Sequence, residues 1–165
     1  MKIYIRHAEK LYNNGKSKSY KFDPGITEEG FQNSIKLSRF LIRKYGKPEF
    51  IICSPYLRTR QTAYAMAKEK KIPIIINPKL SEYLGNHYDK KLDVHKETLK
   101  YQPPHPEKFS DLKKRIIEYS KYIKSINNKN IWIITHGLII KEFAKLHKRK
   151  LPNHIRNLSY YLFKE

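Results

Sequence analysis

Four consecutive apolar residues, Ile131-Trp132-Ile133-Ile134, stand between a polar stretch and the tripeptide Thr135-His136-Gly137. A continuous apolar run of strand length, without alternation, suits a strand covered on both faces, as in a parallel sheet with helices on either side. The rest of the chain repeats that logic. Lys2 to Ile5, Phe50 to Cys53 and Ile72 to Asn77 read as further strands, and Leu158 to Phe163 closes the set. Between them lie amphipathic stretches at Thr27 to Tyr45, Leu57 to Lys70, Pro106 to Ile126 and Leu138 to Lys148, which read as helices. Thr27 is the N-cap of the first, with Gly30 where a capping box would carry an acid. The expected fold is therefore an α/β three-layer sandwich, a mostly parallel central sheet with helices on both faces, in a single domain spanning 1–165. An irregular insert, Lys79 to Pro106, interrupts it.

Composition narrows the setting. A single cysteine precludes an intramolecular disulfide and a four-cysteine zinc site. Met1 to Arg6 has no leader-like apolar stretch and no run approaches a membrane span, so a cytoplasmic protein without membrane contact is expected. Thirty-five Lys and Arg against fifteen Asp and Glu give a formal charge of +20, which attracts anions. The charge is spread along the chain, and no zinc-finger spacing, ribonucleoprotein motif or basic heptad accompanies it. A joint abundance of lysine, asparagine and isoleucine also follows from base composition alone, so the expectation from the charge is an anionic phosphorylated substrate, with a basic surface that could also take nucleic acid or polyphosphate. The sequence specifies no oligomeric state.

In open α/β sheets ligands bind beyond the carboxyl ends of the strands. Arg6-His7, Ser54 to Arg58 and Thr135-His136-Gly137 each follow a strand, so they are expected to converge. Arginine supplies a planar fork for phosphate oxygens, which makes Arg6 and Arg58 the natural clamps. A neutral imidazole attacks phosphorus when its other nitrogen is held protonated, here by a main-chain carbonyl near the first loop; His7 takes that part. A second, protonated imidazole would offset charge in the transition state, a role for His136. Cys53 precedes Arg58 by four intervening residues, one short of the Cys-x5-Arg loop of a cysteine phosphatase.

Five segments together resemble the histidine phosphatase, or phosphoglycerate mutase-like, superfamily: Arg6-His7-Ala8-Glu9, Ile26-Thr27-Glu28-Glu29-Gly30, Ser54-Pro55-Tyr56-Leu57-Arg58-Thr59-Arg60-Gln61-Thr62-Ala63, Leu80-Ser81-Glu82 and Thr135-His136-Gly137. The resemblance implies His7 as nucleophile, Arg6, Arg58 and His136 as phosphate ligands, and Glu82 as the acid that protonates the leaving oxygen and later activates water. It also places Asn13 as a further phosphate contact, as in the mutase branch. Ala8 stands where glycine is commoner, an added methyl group that would tighten the pocket. Neither metal nor cofactor is expected. The function implied is hydrolysis of phosphomonoesters through a phosphohistidine; the alternatives are a mutase, which a chain this short disfavours, and a binding module that has lost turnover. Glu9 is read either as orienting His7 or as a surface ion-pair former, and His87, His95, His105, His147 and His154 receive no role.

Overall fold

The computed structural model describes residues 1–11, 23–85, 98, 100–101, 106–127 and 129–163. Five strands form one sheet: β1 (Lys2–Arg6), β2 (Phe50–Cys53), β3 (Ile74–Ile76), β4 (Ile131–Thr135) and β5 (Tyr160–Phe163), in the order β3-β2-β4-β1-β5. β1, β2, β3 and β4 run parallel, and β5 pairs antiparallel with β1. The expected mostly parallel sheet is thus found, with one antiparallel edge.

The apolar run Ile131 to Ile134 lies in the middle strand, β4, and its side chains alternate between two cores. Trp132 and Ile134 join Ile3, Ile5, Ile51 and Cys53 on the face covered by α1 (Glu28–Tyr45) and α2 (Leu57–Ala67), through Leu41, Ala63 and Met66. Ile131 and Ile133 join Tyr4 and Ile52 on the other face, under α3 (Phe109–Ser125) and α4 (Gly137–Leu146), through Leu112, Ile116, Tyr119, Ile140 and Phe143. Period-two geometry on a doubly covered sheet makes both sets apolar. Full burial of a side chain such as Phe143 contributes about 1.5–3 kcal/mol.

Helix ends follow their local chemistry. Thr27 caps α1, its hydroxyl accepting from Gly30 N at 2.9 Å, and Glu28 and Glu29 occupy the positive first turn. Gly46, at φ +83°, ends it. The absence of a capping-box acid at position 30 has a steric reason: a Cβ there would lie 3.1 Å from Glu9 O, 3.0 Å from Thr27 Oγ1 and 3.3 Å from Ala8 Cβ. The helix start is pressed against the loop carrying His7. α2 stops at Ala67 and tightens into a 3-10 turn at Lys68–Lys70, within the span expected to be helical. β3 is shorter than the Ile72 to Asn77 run because Pro73, lacking an N–H, precedes its first residue.

Candidate active site

Strand register brings the separated motifs together. Arg6 is level with Thr135 and Cys53 with Ile134, and both ladders continue one step further: His7 N donates to Thr135 O and Ser54 N to Ile134 O, each at 3.0 Å. His7, Ser54 and His136 therefore leave adjacent strands side by side at their carboxyl ends.

His7 is buried, 3% exposed, and its Nδ1 lies 2.7 Å from Ala8 O. A carbonyl only accepts, so Nδ1 carries the proton and Nε2 keeps a lone pair. The sequence reading expected such a main-chain holder, and Ala8 supplies it. Burial, and next the Arg58 charge, hold this imidazole well below the ordinary value of 6.5, which favours the neutral ring. The loop is tied to α2: Ala8 N donates to Thr62 Oγ1 at 3.0 Å, and that hydroxyl donates to Arg58 O at 2.7 Å. The Ala8 methyl group packs toward Gly30 at the start of α1, so it supports the loop from behind.

The ring of His136 stands edge-on to that of His7, with centroids 5.4 Å apart, and is fully buried. Its Nε2 lies 2.9 Å from Ser54 Oγ, which also accepts weakly from Tyr56 N at 3.4 Å. The carboxyl oxygen Oε2 of Glu82 lies on the Nδ1 side of the ring, so the hydrogen of His136 is assigned to Nδ1 and Nε2 accepts from the Ser54 hydroxyl; it is Nδ1 that faces the site. That nitrogen is buried without a hydrogen-bond partner, 3.4 Å from Glu82 Oε2. Burial and then Arg58 push His136 well below its ordinary value, so without an anion beside it the ring is neutral and presents a single N–H. The expectation of a protonated His136 thus requires a charged group in the site.

Arg58, 5% exposed in the first turn of α2, lies across the Tyr56 ring with its guanidinium carbon 4.7 Å from the centroid. Its Nη2 is 3.7 Å from Glu82 Oε2 and its Nη1 3.7 Å from Asp23 Oδ1. Arg6 is half-buried, and its Nη1 donates to Ile155 O. Glu82 follows the 3-10 turn Pro78–Leu80; burial raises its carboxyl above the ordinary 4.5, and Arg58 opposes the rise. Beside Glu82 and Arg6 opens a pocket of about 220 Å³, walled by Leu138, Lys141, His154 and Ile155.

The structure thus gathers Arg6, His7, Arg58, Glu82 and His136 at one sheet edge. Asn13, like His87, His95 and His105, lies outside the described residues. Glu9 faces Thr27, whose hydroxyl is 3.5 Å from its Oε2, and does not touch His7. Cys53 is wholly buried in the sheet and burial pushes its thiol up to about 12, so no thiolate is available there. His154, assigned no role from sequence, lines the pocket.

Three contributors escaped the sequence reading. Asp23 is fully buried and accepts from Leu57 N at 2.6 Å and Thr98 Oγ1 at 2.5 Å, so it caps α2 beside Arg58. Thr62 and Ser54 stand inside a quoted motif, yet their hydroxyls meet Ala8 N and His136 Nε2, which are distant in sequence, and spacing does not reveal that. For Asp23 the available signal was its place before Pro24-Gly25, where the chain turns.

The mostly parallel α/β sheet brings two imidazoles, two guanidiniums and a carboxyl together at its carboxyl edge, a set whose charges and N–H donors suit an anion. The chain belongs to the histidine phosphatase superfamily (branch 1), whose family model matches residues 3–162. A relative from Hydrogenobacter thermophilus, named "Putative phosphoserine phosphatase 2", is 26% identical over 146 residues, covering 81% of this chain and 71% of its own. Among solved structures, Bacillus stearothermophilus YhfR superposes with a TM-score of 0.71 at 23% identity, covering 96% of this chain and 88% of that one. A mycobacterial glucosyl-3-phosphoglycerate phosphatase gives 0.66 at 20% identity, covering 96% and 86%. These structures share the fold.

Proposed function

We propose that this protein hydrolyses phosphomonoesters through a phosphohistidine formed on His7. The observation that carries the reading is the His7 Nδ1 contact to Ala8 O, 2.7 Å, inside a cluster that also contains Arg58, His136 and Glu82. It fixes the tautomer that attack on phosphorus needs.

The phosphoryl group sits among Arg6, Arg58 and the Nδ1–H of His136, whose charges and hydrogen bonds match equatorial oxygens. His7 Nε2 forms the N–P bond as the bond from phosphorus to the ester oxygen breaks, and protonated Glu82 gives its proton to that departing oxygen. The raised Glu82 suits the task. The alcohol leaves, Glu82 as carboxylate takes a proton from water, and the hydroxide attacks the phosphohistidine, releasing inorganic phosphate and neutral His7. A dianionic phosphoryl group beside His136 draws its ring toward the imidazolium, reconciling the neutral ring of the free site with a cationic one in the reaction. The leaving group occupies the pocket of about 220 Å³ beside Glu82. The charge of +20 favours strongly anionic substrates. Steady-state release of phosphate from a panel of phosphomonoesters, with His7→Ala as the blank, tests the reading. Phosphate released equally by the blank would overturn it.

A further inference from the structure

The turn that presents Glu82 is held by a buried ion pair outside the site. On α3, Arg115 lays its guanidinium along Glu107, with Nε 2.5 Å from Oε1 and Nη2 2.8 Å from Oε2. The two residues are 9% and 6% exposed. The remaining nitrogen, Nη1, donates to Lys79 O at 2.9 Å, three residues before Glu82. Glu107 N donates to Leu84 O at 2.9 Å, two residues after it. A third tie comes from the sheet, where Thr135 Oγ1 donates to Leu80 O at 2.8 Å, next to His136.

A buried ion pair adds little net stability over well-packed apolar residues, because both charges must be desolvated. What a bidentate fork supplies is geometry: both ends of the pair have fixed directions. Here the fork is joined by main-chain hydrogen bonds to the chain on each side of one carboxyl, and neither Arg115 nor Glu107 is among the groups gathered at the phosphate site. We propose that Arg115 and Glu107 are positioning residues that hold the Glu82 carboxyl in line with the leaving oxygen, a role that rests on reading Glu82 as the proton donor. Misplacing a reacting group by about 1 Å costs up to ~100-fold, so a looser brace has a measurable effect.

The test compares an activated aryl phosphate, whose leaving group needs no proton, with a simple alkyl phosphate, whose leaving group does. Arg115→Lys keeps the charge and removes the fork. It is expected to lower kcat on the alkyl phosphate about 10-fold or more, to leave KM and the aryl phosphate within about 2-fold, and to cost nothing further in a Glu82→Gln background. Equal losses on both substrates, no loss on either, or a full additional loss in the Glu82→Gln background would overturn the brace. If Arg115→Lys does not accumulate as folded protein, Glu107→Gln, similar in volume, is put through the same comparison with the same outcomes. The two readings separate in the Glu82→Gln single variant: an equal loss on both substrates there removes the proton donor itself, whereas a selective loss there without one in Arg115→Lys removes only the brace.

Discussion

His136 Nε2 meets Ser54 Oγ at 2.9 Å, and this contact between two fully buried residues just past the ends of neighbouring strands sets which nitrogen of the second imidazole faces the site. Ser54→Ala should therefore free the ring to change tautomer without opening the core. The expected result is a 10- to 100-fold loss in kcat with a thermal midpoint lowered by only a few degrees, about 1 kcal/mol. Steady-state kinetics and calorimetry check it; unchanged kcat would show that the tautomer does not matter.

The pH profile follows from two opposite shifts. On the proposed mechanism His7 must be neutral to attack, and burial and Arg58 put its titration well below 6.5, so the acid limb of kcat/KM is expected below that value. Glu82 must be protonated to serve a poor leaving group, and burial raises it above 4.5, so the alkaline limb for alkyl phosphates lies above 4.5. The alkaline limb should vanish in Glu82→Gln while the acid limb stays.

Stability has its own pH dependence. The folded-state values of His7 and His136 are depressed, so the unfolded chain binds more protons below 6.5. Their contribution is complete above pH 6.5 and lost as the pH falls from there through the folded values. Glu82, raised in the fold, acts the other way: its share is present below 4.5 and lost as pH rises through its folded value. Urea midpoints measured below pH 6.5 should fall more gently for His7→Asn than for the parent chain.

Gly30→Ala tests the pressure of α1 on the loop that carries His7. The new Cβ would meet Glu9 O at 3.1 Å and Thr27 Oγ1 at 3.0 Å, one of them backbone. A destabilisation of about 1–3 kcal/mol is expected, together with reduced turnover, because the shifted backbone is that of Ala8 and Glu9. Chemical denaturation and kcat measured on one preparation decide this.

Cys53→Ala separates histidine from thiol chemistry. The residue is buried in β2 with a thiol near 12, so the variant should keep its activity within about 2-fold and lose roughly 1 kcal/mol for the small cavity. Loss of activity without loss of fold would contradict the assignment of the chemistry to His7.

Much of this arrangement was legible because it depends on local patterns. The run Ile131 to Ile134 announced a doubly covered strand, and the residues after each strand announced the site edge. Strand β5 was legible as a strand but not as antiparallel, since direction depends on the path taken between Leu146 and Tyr160 and periodicity carries none of it. The 3-10 turn at Lys68–Lys70 was hidden because its residues suit a helix equally well. The Arg115–Glu107 pair and Asp23 were illegible for a different reason. Besides their side-chain partners, they tie to Lys79, Leu84 and Leu57 through main-chain atoms, which every residue possesses and no sequence pattern marks.

The central claim is that phosphorus bonds to His7. Mixing the protein with a 32P-labelled phosphomonoester and quenching within milliseconds should trap label on the chain. That label should be lost in acid, survive alkali, map to the peptide containing His7 and be absent from His7→Ala. Label stable to acid, or label of equal intensity in His7→Ala, would contradict the account.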